Sequence, residues 1–251
     1  MSFKHYILTR FNAGLYGTPD TLSKQNKIDP DAWMEHRLLL FEKFTLASIK
    51  NQSCQNFSWL LLMDGLTPKR FIQRIEKFNY PNIKICYTDV SIYSSNMGDP
   101  KIWGIEVYKQ NDFNIITTRI DNDDVFHKDY VKEIQCQYTK ALTVVKPFVI
   151  SFPLGYVLNL ETGQIVPYTY GGNNCPSLVS LGNEQDFKSV FCCEHTAIRK
   201  KYKTFTVQES KPFWLDVVHS RNLGTAVRQH FHKSKDRKML ATVMAEFGIK
   251  K

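Results

Sequence analysis

The sequence predicts an α/β fold built on a mixed, mainly parallel sheet with helices on both faces. Short β-rich apolar runs alternate with helix-length segments through the first 145 residues, the pattern of a sheet whose strands are joined by crossover helices. The chain of 251 residues is 43% hydrophobic, with 17 Phe and 12 Tyr, which supplies a sizeable core and argues against disorder. The strand-like runs also end in polar or acidic turns, where such sheets place their ligands.

Tyr6-Ile7-Leu8-Thr9 reads as the first strand, followed by a polar, glycine-containing loop through Asp20. Asp29-Pro30 is a helix start, a capping acid before a proline in the first turn. Trp33, Leu40, Phe41, Phe44 and Ser48 then recur at helical spacing. Ser58 to Met63 is a buried strand stopped by Asp64-Gly65, and Thr67-Pro68 opens a helix carrying Phe71, Ile72, Ile75 and Phe78. Asn82 to Tyr87 reads as a third strand, Pro100 to Gln110 as a short helix, Asn114 to Ile120 as a fourth strand and Lys128 to Tyr138 as a helix.

Beyond residue 145 the character changes. Phe148 to Phe152, Tyr156 to Leu160 and Ile165 to Tyr170 read as short strands, the last two joined by a hairpin at Glu161-Thr162-Gly163. Gly171-Gly172-Asn173-Asn174 reads as a flexible loop, and Thr204 to Gln208 and Phe213 to Val218 as further strands. No linker separates the parts, so residues 1–251 are expected to form one domain with halves at 1–145 and 146–251.

No apolar run approaches the ~18 residues of a membrane span, and polar residues interrupt Tyr6-Ile7-Leu8 too soon for a signal peptide. The six cysteines (54, 86, 136, 175, 192 and 193) have no zinc-site spacing and read as reduced thiols of a cytoplasmic protein. A net charge of +9, from 33 basic against 24 acidic residues, favours anionic partners or is simply a solvated basic surface. Basic residues cluster at Arg199-Lys200-Lys201-Tyr202-Lys203 and from Lys233 to Lys238. The second cluster adjoins Met239, Leu240, Val243, Met244 and Phe247, spaced as a half-apolar helix. Such a helix either packs on its own fold or makes a peripheral contact with the inner face of a membrane.

Arg119-Ile120-Asp121-Asn122-Asp123-Asp124 carries the most chemistry. Three carboxylates in four positions repel one another, and a clefted set invites a cation to offset that repulsion. Oxygen ligands suit Mg²⁺ or Mn²⁺, which keep positions for water and phosphate oxygens. Placed after the β-rich Ile115-Ile116-Thr117-Thr118, such a turn can hold a metal against a departing diphosphate. The plainer alternative is an acidic loop capping the helix that follows.

These residues, with four other blocks in the same order, resemble a rhamnosyltransferase family of the glycosyltransferase-A superfamily. The blocks run from His5 to Asn12, from His36-Arg37 and Leu40 to Leu46, from Gln55 to Asp64, from Ile116 to Asp124 and from Trp214 to Asn222. The resemblance implies a glycosyltransferase-A-like fold and a sugar moved from a nucleoside-diphosphate-sugar donor onto a glycan or glycolipid acceptor. It makes 1–145 the nucleotide-binding half, and 146–251 the acceptor-side half with its C-terminal helix. Rhamnose as the sugar, and inversion at its anomeric carbon, come from the resemblance alone.

Carried over by position, Asp123 is the principal ligand of Mn²⁺ or Mg²⁺, Asp121 contacts the ribose or shares the metal, and Asp124 faces the donor sugar. His219, late in the chain, matches a histidine that completes metal or diphosphate binding. Arg10 and Asn12 end the first strand, where the nucleotide pocket of that superfamily begins. Asp64 is read as an acceptor for the base or ribose, or as a turn residue before Gly65. Arg119 either braces the acidic turn or reaches the diphosphate, and Arg37 is a weaker candidate because helical arginines usually pair on surfaces. For the base that inversion requires, Glu194 stands first, with Asp216 and Asp186 behind it, or Glu194 is simply a helix N-terminal acid before Ala197-Ile198.

The rival readings are a metal-dependent phosphoesterase, a nucleotidyltransferase and a basic nucleic-acid-binding module. The first would need ligands for a second metal. The second would need a better phosphate loop than Asn12-Ala13-Gly14-Leu15-Tyr16-Gly17. The third lacks a binding motif, and an unmetallated acidic turn would repel nucleic acid, so no nucleic-acid partner is expected.

Overall fold

The computed structural model describes residues 2–17, 28–91, 94–108, 113–170, 175–183, 185–207, 211–220 and 237–249. Four strands, β1 (Phe3–Arg10), β2 (Ser58–Asp64), β3 (Ile83–Thr88) and β4 (Asn114–Arg119), lie side by side in the order β3-β2-β1-β4, all parallel. Their side chains alternate between two apolar layers. Ile7, Trp59, Leu61, Met63 and Ile116 face one, while Leu8, Leu60, Leu62 and Ile115 face the other. Burial on both faces is why Trp59 to Met63 is continuously apolar instead of alternating.

The first layer is covered by helices. Helix α1 (Pro30–Leu40) begins at Asp29, whose Oδ1 accepts from the amides of Asp31 and Ala32 at 3.0 and 3.4 Å. It runs into a π-helical stretch, Phe41–Leu46, and a last turn, α2 (Ala47–Lys50). Helices α3 (Lys69–Glu76) and α4 (Tyr130–Lys140) complete that layer, with Phe71, Ile75, Val131, Ile134 and Tyr138 turned inward. The opposite layer is made of short helical pieces, including the 3₁₀ turns Ser95–Gly98 and Pro100–Trp103 and helix α5 (Ile198–Lys201). The helix expected from Pro100 to Gln110 therefore stops after one turn. Gly104 closes it in the left-handed conformation (φ 61°), which only glycine adopts without cost.

A strand that the sequence does not announce, β9 (Ser177–Leu181), completes the sheet. It pairs antiparallel with β4 on one side and with β6 (Phe148–Ser151) on the other, and β10 (Lys203–Thr206) adds in parallel to β6. The result is a mixed, mainly parallel α/β sheet of seven strands in the order β10-β6-β9-β4-β1-β2-β3.

A second sheet has the order β5-β11-β7-β8, with β5 at Val125–Phe126, β7 at Leu154–Asn159, β8 at Gln164–Thr169 and β11 at Trp214–Val218. The expected β7–β8 hairpin is present. Asn159 Oδ1 accepts from the amides of Glu161 and Thr162 at 2.9 and 3.1 Å, and Gly163 takes φ 68°. Because β5 directly follows residues 120–124, the acidic turn is the bridge between the two sheets. Helix α6 (Arg237–Glu246) lays Val243, with Phe247 just beyond its end, against Leu40, Phe44, Val125, Leu215 and Val217. The expected amphipathic helix thus covers the second sheet. Residues 171–174 and 233–236, read as a loop and as part of a basic cluster, lie outside the described residues. Among the described residues no helix is long and apolar enough to cross a membrane, and the cysteines are free thiols.

Two buried histidines give this fold a testable acid sensitivity. His5 lies in β1 with Nδ1 accepting from Gln135 Nε2 at 3.2 Å and Nε2 against Thr118 Oγ1 at 2.8 Å. Burial pushes its pKa down to about 3. Burial, reinforced by Lys211 and outweighing Asp129, takes His127 to about 4. Both stay neutral in the fold while the unfolded chain takes up protons below pH ~6.5, so stability is complete above that value and declines as pH falls. Each should cost about 2 kcal/mol by pH 5. Urea unfolding at pH 7.5 and 5.0 checks this, and His5→Gln should halve the pH slope.

Candidate active site

The parallel strands bring three of the predicted residues to one edge: Arg10 ends β1, Asp64 ends β2 and Arg119 ends β4. His219 follows β11 and reaches the same place from the second sheet. Ligands of parallel sheets bind in this crevice, beyond the carboxyl ends of the strands.

The acidic turn is fixed by its own backbone and by Asn122. The Ile120 amide donates to Leu8 O at 3.1 Å, and Asn122 Nδ2 donates to Phe11 O at 2.9 Å, tying the turn to the end of β1. Asp123 and Asp124 are 5% and 7% exposed, so their charges need local compensation. For Asp123 it comes from two directions. Arg37 Nη1 donates to Asp123 Oδ2 and, at 3.1 Å, to Asn122 Oδ1, while His219 Nε2 meets Asp123 Oδ2 at 3.0 Å. For Asp121 it comes from Arg119, whose Nε and Nη2 grip the two carboxylate oxygens at 3.2 and 2.9 Å.

These contacts separate the three carboxyls electrostatically. Burial would raise the Asp121 and Asp123 pKa values, but Arg119 holds the first below its ordinary range, and Arg37 with His219 the second. Asp124 goes the other way: burial, then Asp216, Asp123 and Asp121, push its pKa well up, although the Val217 amide donates to its Oδ1 at 3.3 Å. The repulsion expected within the cluster is therefore offset by two arginines, and what remains of it falls on Asp124 as an upward pKa shift.

The predicted metal ligands are brought together only in part. Asp121 is turned to Arg119, and among the described residues no group of three or more His, Cys, Asp or Glu side chains is arranged to hold a metal. Asp123 Oδ2 and His219 Nε2, however, are 3.0 Å apart. Neighbouring donors on an octahedral ion with ligand distances of ~2.1 Å lie about 3 Å apart. A carboxylate oxygen and an imidazole nitrogen so placed fit two positions on Mg²⁺ or Mn²⁺ and leave the others for phosphate oxygens and water.

Arg10 and Arg119 form a cationic rim. Their guanidinium carbons lie 4.7 and 5.4 Å from the Phe191 ring centroid, and Phe191 in turn stacks on Trp103 at 5.1 Å. Arg119 thus braces the acidic turn, one of its two expected roles, while facing the crevice. Its Nη1 lies 3.1 Å from His195 Nδ1. Guanidinium cannot accept a hydrogen bond, so His195 is neutral at Nδ1 and carries its proton on Nε2.

Asn12 and Asp64 are buried and shape the loop beside the crevice. Asp64 Oδ2 accepts from the amides of Tyr16 and Gly17 at 2.8 and 3.2 Å, and Oδ1 accepts from the Leu66 amide at 2.8 Å. Asn12 Oδ1 accepts from the Asp64 amide at 3.1 Å, and Nδ2 donates to Thr67 Oγ1 at 2.9 Å. The Asp64 carboxylate holds loop 12–17 in place, as its reading as a turn residue before Gly65 expects.

Glu194 is exposed, close enough to Arg119 and His195 to act on both electrostatically. Asp216 is half-buried in β11 and faces the Asp124 and Cys175 side of the cluster. Asp186 is exposed and bonded to Asn183 just past the end of β9. Because β9 runs antiparallel to β4, that end lies beside Asn114, at the opposite edge of the sheet from the acidic turn.

Arg37 corrects the surface-pair expectation: it is 5% exposed and lies within the cluster. The signal was present in the sequence, because Arg37 shares the inward face of α1 with Trp33 and Met34. His36 was missed as well; its ring lies 5.0 Å from that of His219. Phe191 and His195 were missed because they come from an irregular segment that has no periodic pattern.

Arginines, buried acids and a histidine gathered at the ends of parallel strands are the setting of an enzyme acting on an anionic ligand. The family model described as "Putative rhamnosyl transferase" matches residues 5–230, and the chain belongs to that family of glycosyltransferases. No curated protein matches the chain. Among solved structures it is similar to Staphylococcus aureus TarS. Residues 1–349 of TarS with UDP-GlcNAc match at 13% identity and a TM-score of 0.49, over 98% of this chain and 66% of that one. The same TarS fragment without ligand matches at 14% identity and 0.47, over 86% of this chain and 60% of that one. Full TarS matches at 14% identity and 0.48, over 87% of this chain and 37% of that one. The chain thus spans less than two thirds of the TarS chains it resembles.

Proposed function

We propose that the chain transfers a sugar from a nucleoside-diphosphate-sugar donor to a glycan or glycolipid acceptor, with Mn²⁺ or Mg²⁺ bound at Asp123 and His219. The observation that carries the reading is the convergence of Asp123, from the turn after β4, with His219, from the end of β11, at 3.0 Å. The two come from different sheets and 96 residues apart. When bound there, the ion would supply positive charge to the diphosphate as it becomes the leaving group. Arg10 and Arg119, on the Phe191 rim, add fixed cationic charge on the same side. Asp124, whose pKa is pushed well up by burial and by the neighbouring acids, is assigned to the side of the donor sugar in this reading. Rhamnose as the sugar rests on the family description, and a β-linked donor giving an α-linked product would make the transfer inverting.

Inversion needs a base opposite the leaving group. Glu194 is solvent-exposed and near Arg119, whereas Asp216 lies among other acids. Glu194→Gln should lower kcat about 10²–10³-fold with little change in donor affinity. A near-normal rate, with Asp216→Asn silencing transfer, moves the role to Asp216. A peripheral contact with an anionic membrane surface belongs to the same reading, and would draw on the exposed Arg199, Lys200 and Lys201.

A thermal-shift screen of UDP-, dTDP- and GDP-sugars with and without Mn²⁺ tests the donor class. At a hundred times Kd the cognate donor should raise Tm by roughly 5–10 °C, and only with the metal. No shift with any sugar nucleotide, beside salt-sensitive stabilisation by RNA or DNA, would overturn the reading.

A further inference from the structure

We infer that Arg37 is an internal counter-cation that makes metal binding at Asp123 conditional on the arrival of the donor's diphosphate; this rests on the reading of Asp123 and His219 as metal ligands. The ion pair is enclosed, with the Arg37 and Asp123 side chains 7% and 6% exposed. Arg37 bonds the same Oδ2 that meets His219, so the oxygen best placed for the metal already carries a cation. Its guanidinium is also held by Asn122 Oδ1 at 3.1 Å and lies 5.1 Å from the Trp33 ring, which keeps it from swinging into water.

A divalent ion entering between Asp123 and His219 would therefore meet a fixed positive charge at close range in a poorly solvated site, where like charges repel strongly. Loss of the carboxylate's charge to the ion would also leave Arg37 buried without full compensation. A diphosphate lowers both obstacles, because its negative charge, brought beside the ion, offsets the ion and the nearby guanidinium together. Metal and nucleotide must then strengthen each other's binding, and by linkage the effect is reciprocal. Arg37 is a positioning residue in this scheme, acting through Asp123.

The test is Mn²⁺ binding to the full chain, followed by the EPR signal of the free ion, alone and with UDP, dTDP or GDP in turn. The wild-type protein should bind Mn²⁺ weakly alone and at least tenfold more tightly with the matching nucleotide. Arg37→Met, and Arg37→Gln in case the first does not fold, should bind Mn²⁺ alone roughly tenfold more tightly than wild type and lose most of the nucleotide dependence. Arg37→Lys, which keeps the charge, should behave as wild type. Variants that bind Mn²⁺ alone no better than wild type overturn the role of Arg37 while leaving the metal reading intact. Absence of binding in every protein, with every nucleotide, overturns the metal reading and the inference with it.

Discussion

Asp123→Asn should reduce kcat/KM for sugar transfer by two to three orders of magnitude, equivalent to about 3–4 kcal/mol of transition-state stabilisation. The amide keeps the shape of the side chain and can still accept from Arg37 or His219, but it removes the negative charge that both side chains meet. Asp123→Ala should be as inactive and also less stable. It removes the carboxylate that meets the buried Arg37 guanidinium, a change that typically costs about 3–5 kcal/mol. Steady-state kinetics and urea unfolding of the two variants separate these effects. Full activity in Asp123→Asn would show that the pair is structural only.

Gly155→Ala should destabilise the fold by about 3 kcal/mol or more, although it adds a single methyl group. A Cβ on Gly155 would lie 2.2, 2.3 and 2.4 Å from carbons of the Trp214 indole, its cross-strand partner. The ring cannot move aside. It is 1% exposed, and its Nε1 donates to Phe152 O at 2.8 Å. Such overpacking costs about 1–3 kcal/mol where neighbours can relax, and more where they cannot. The effect reaches the site because Trp214 begins β11, the strand that delivers His219. Thermal melts should show Tm lower by roughly 6–12 °C for Gly155→Ala. Gly155→Ala combined with Trp214→Val should cost less than the sum of the two single changes, because the clash is gone once the indole is. A single variant within 1 °C of wild type, or a double variant worse than the sum, contradicts this packing.

What the sequence made legible follows from where the information is local. The parallel half could be read from the Trp59 to Met63 run and the Asp29-Pro30 cap, because burial and capping act within a few residues. Strand β9 could not, since Ser177-Leu178-Val179-Ser180-Leu181 is short and its two serines suggest exposure. It is buried because β4 and β6 flank it on both sides, a long-range pairing that no local pattern encodes.

The site divides the same way. Asp121, Asp123 and Asp124 stood out by type and spacing, and His219 by the family resemblance. The partners of each could not: Arg37 is 86 residues from Asp123, and His195 is 76 residues from Arg119. The carboxylate of Asp64, read as a ligand or a turn residue, proved to hold loop 12–17, a role visible only once Tyr16 and Gly17 are seen folded back onto it.

The most direct measurement uses paramagnetic broadening in protein labelled at the histidine side chains, with Mn²⁺ added in the presence of the cognate nucleoside diphosphate. The His219 ring signal, assigned by its loss in His219→Gln, should vanish at substoichiometric Mn²⁺, followed by that of His36, whose ring lies 5.0 Å away. The same titration of Asp123→Asn should leave both signals sharp. If His219 keeps its line width while the nucleotide is bound and transfer proceeds, the ion is held elsewhere, or is not used, and the role given to Asp123 and His219 is wrong.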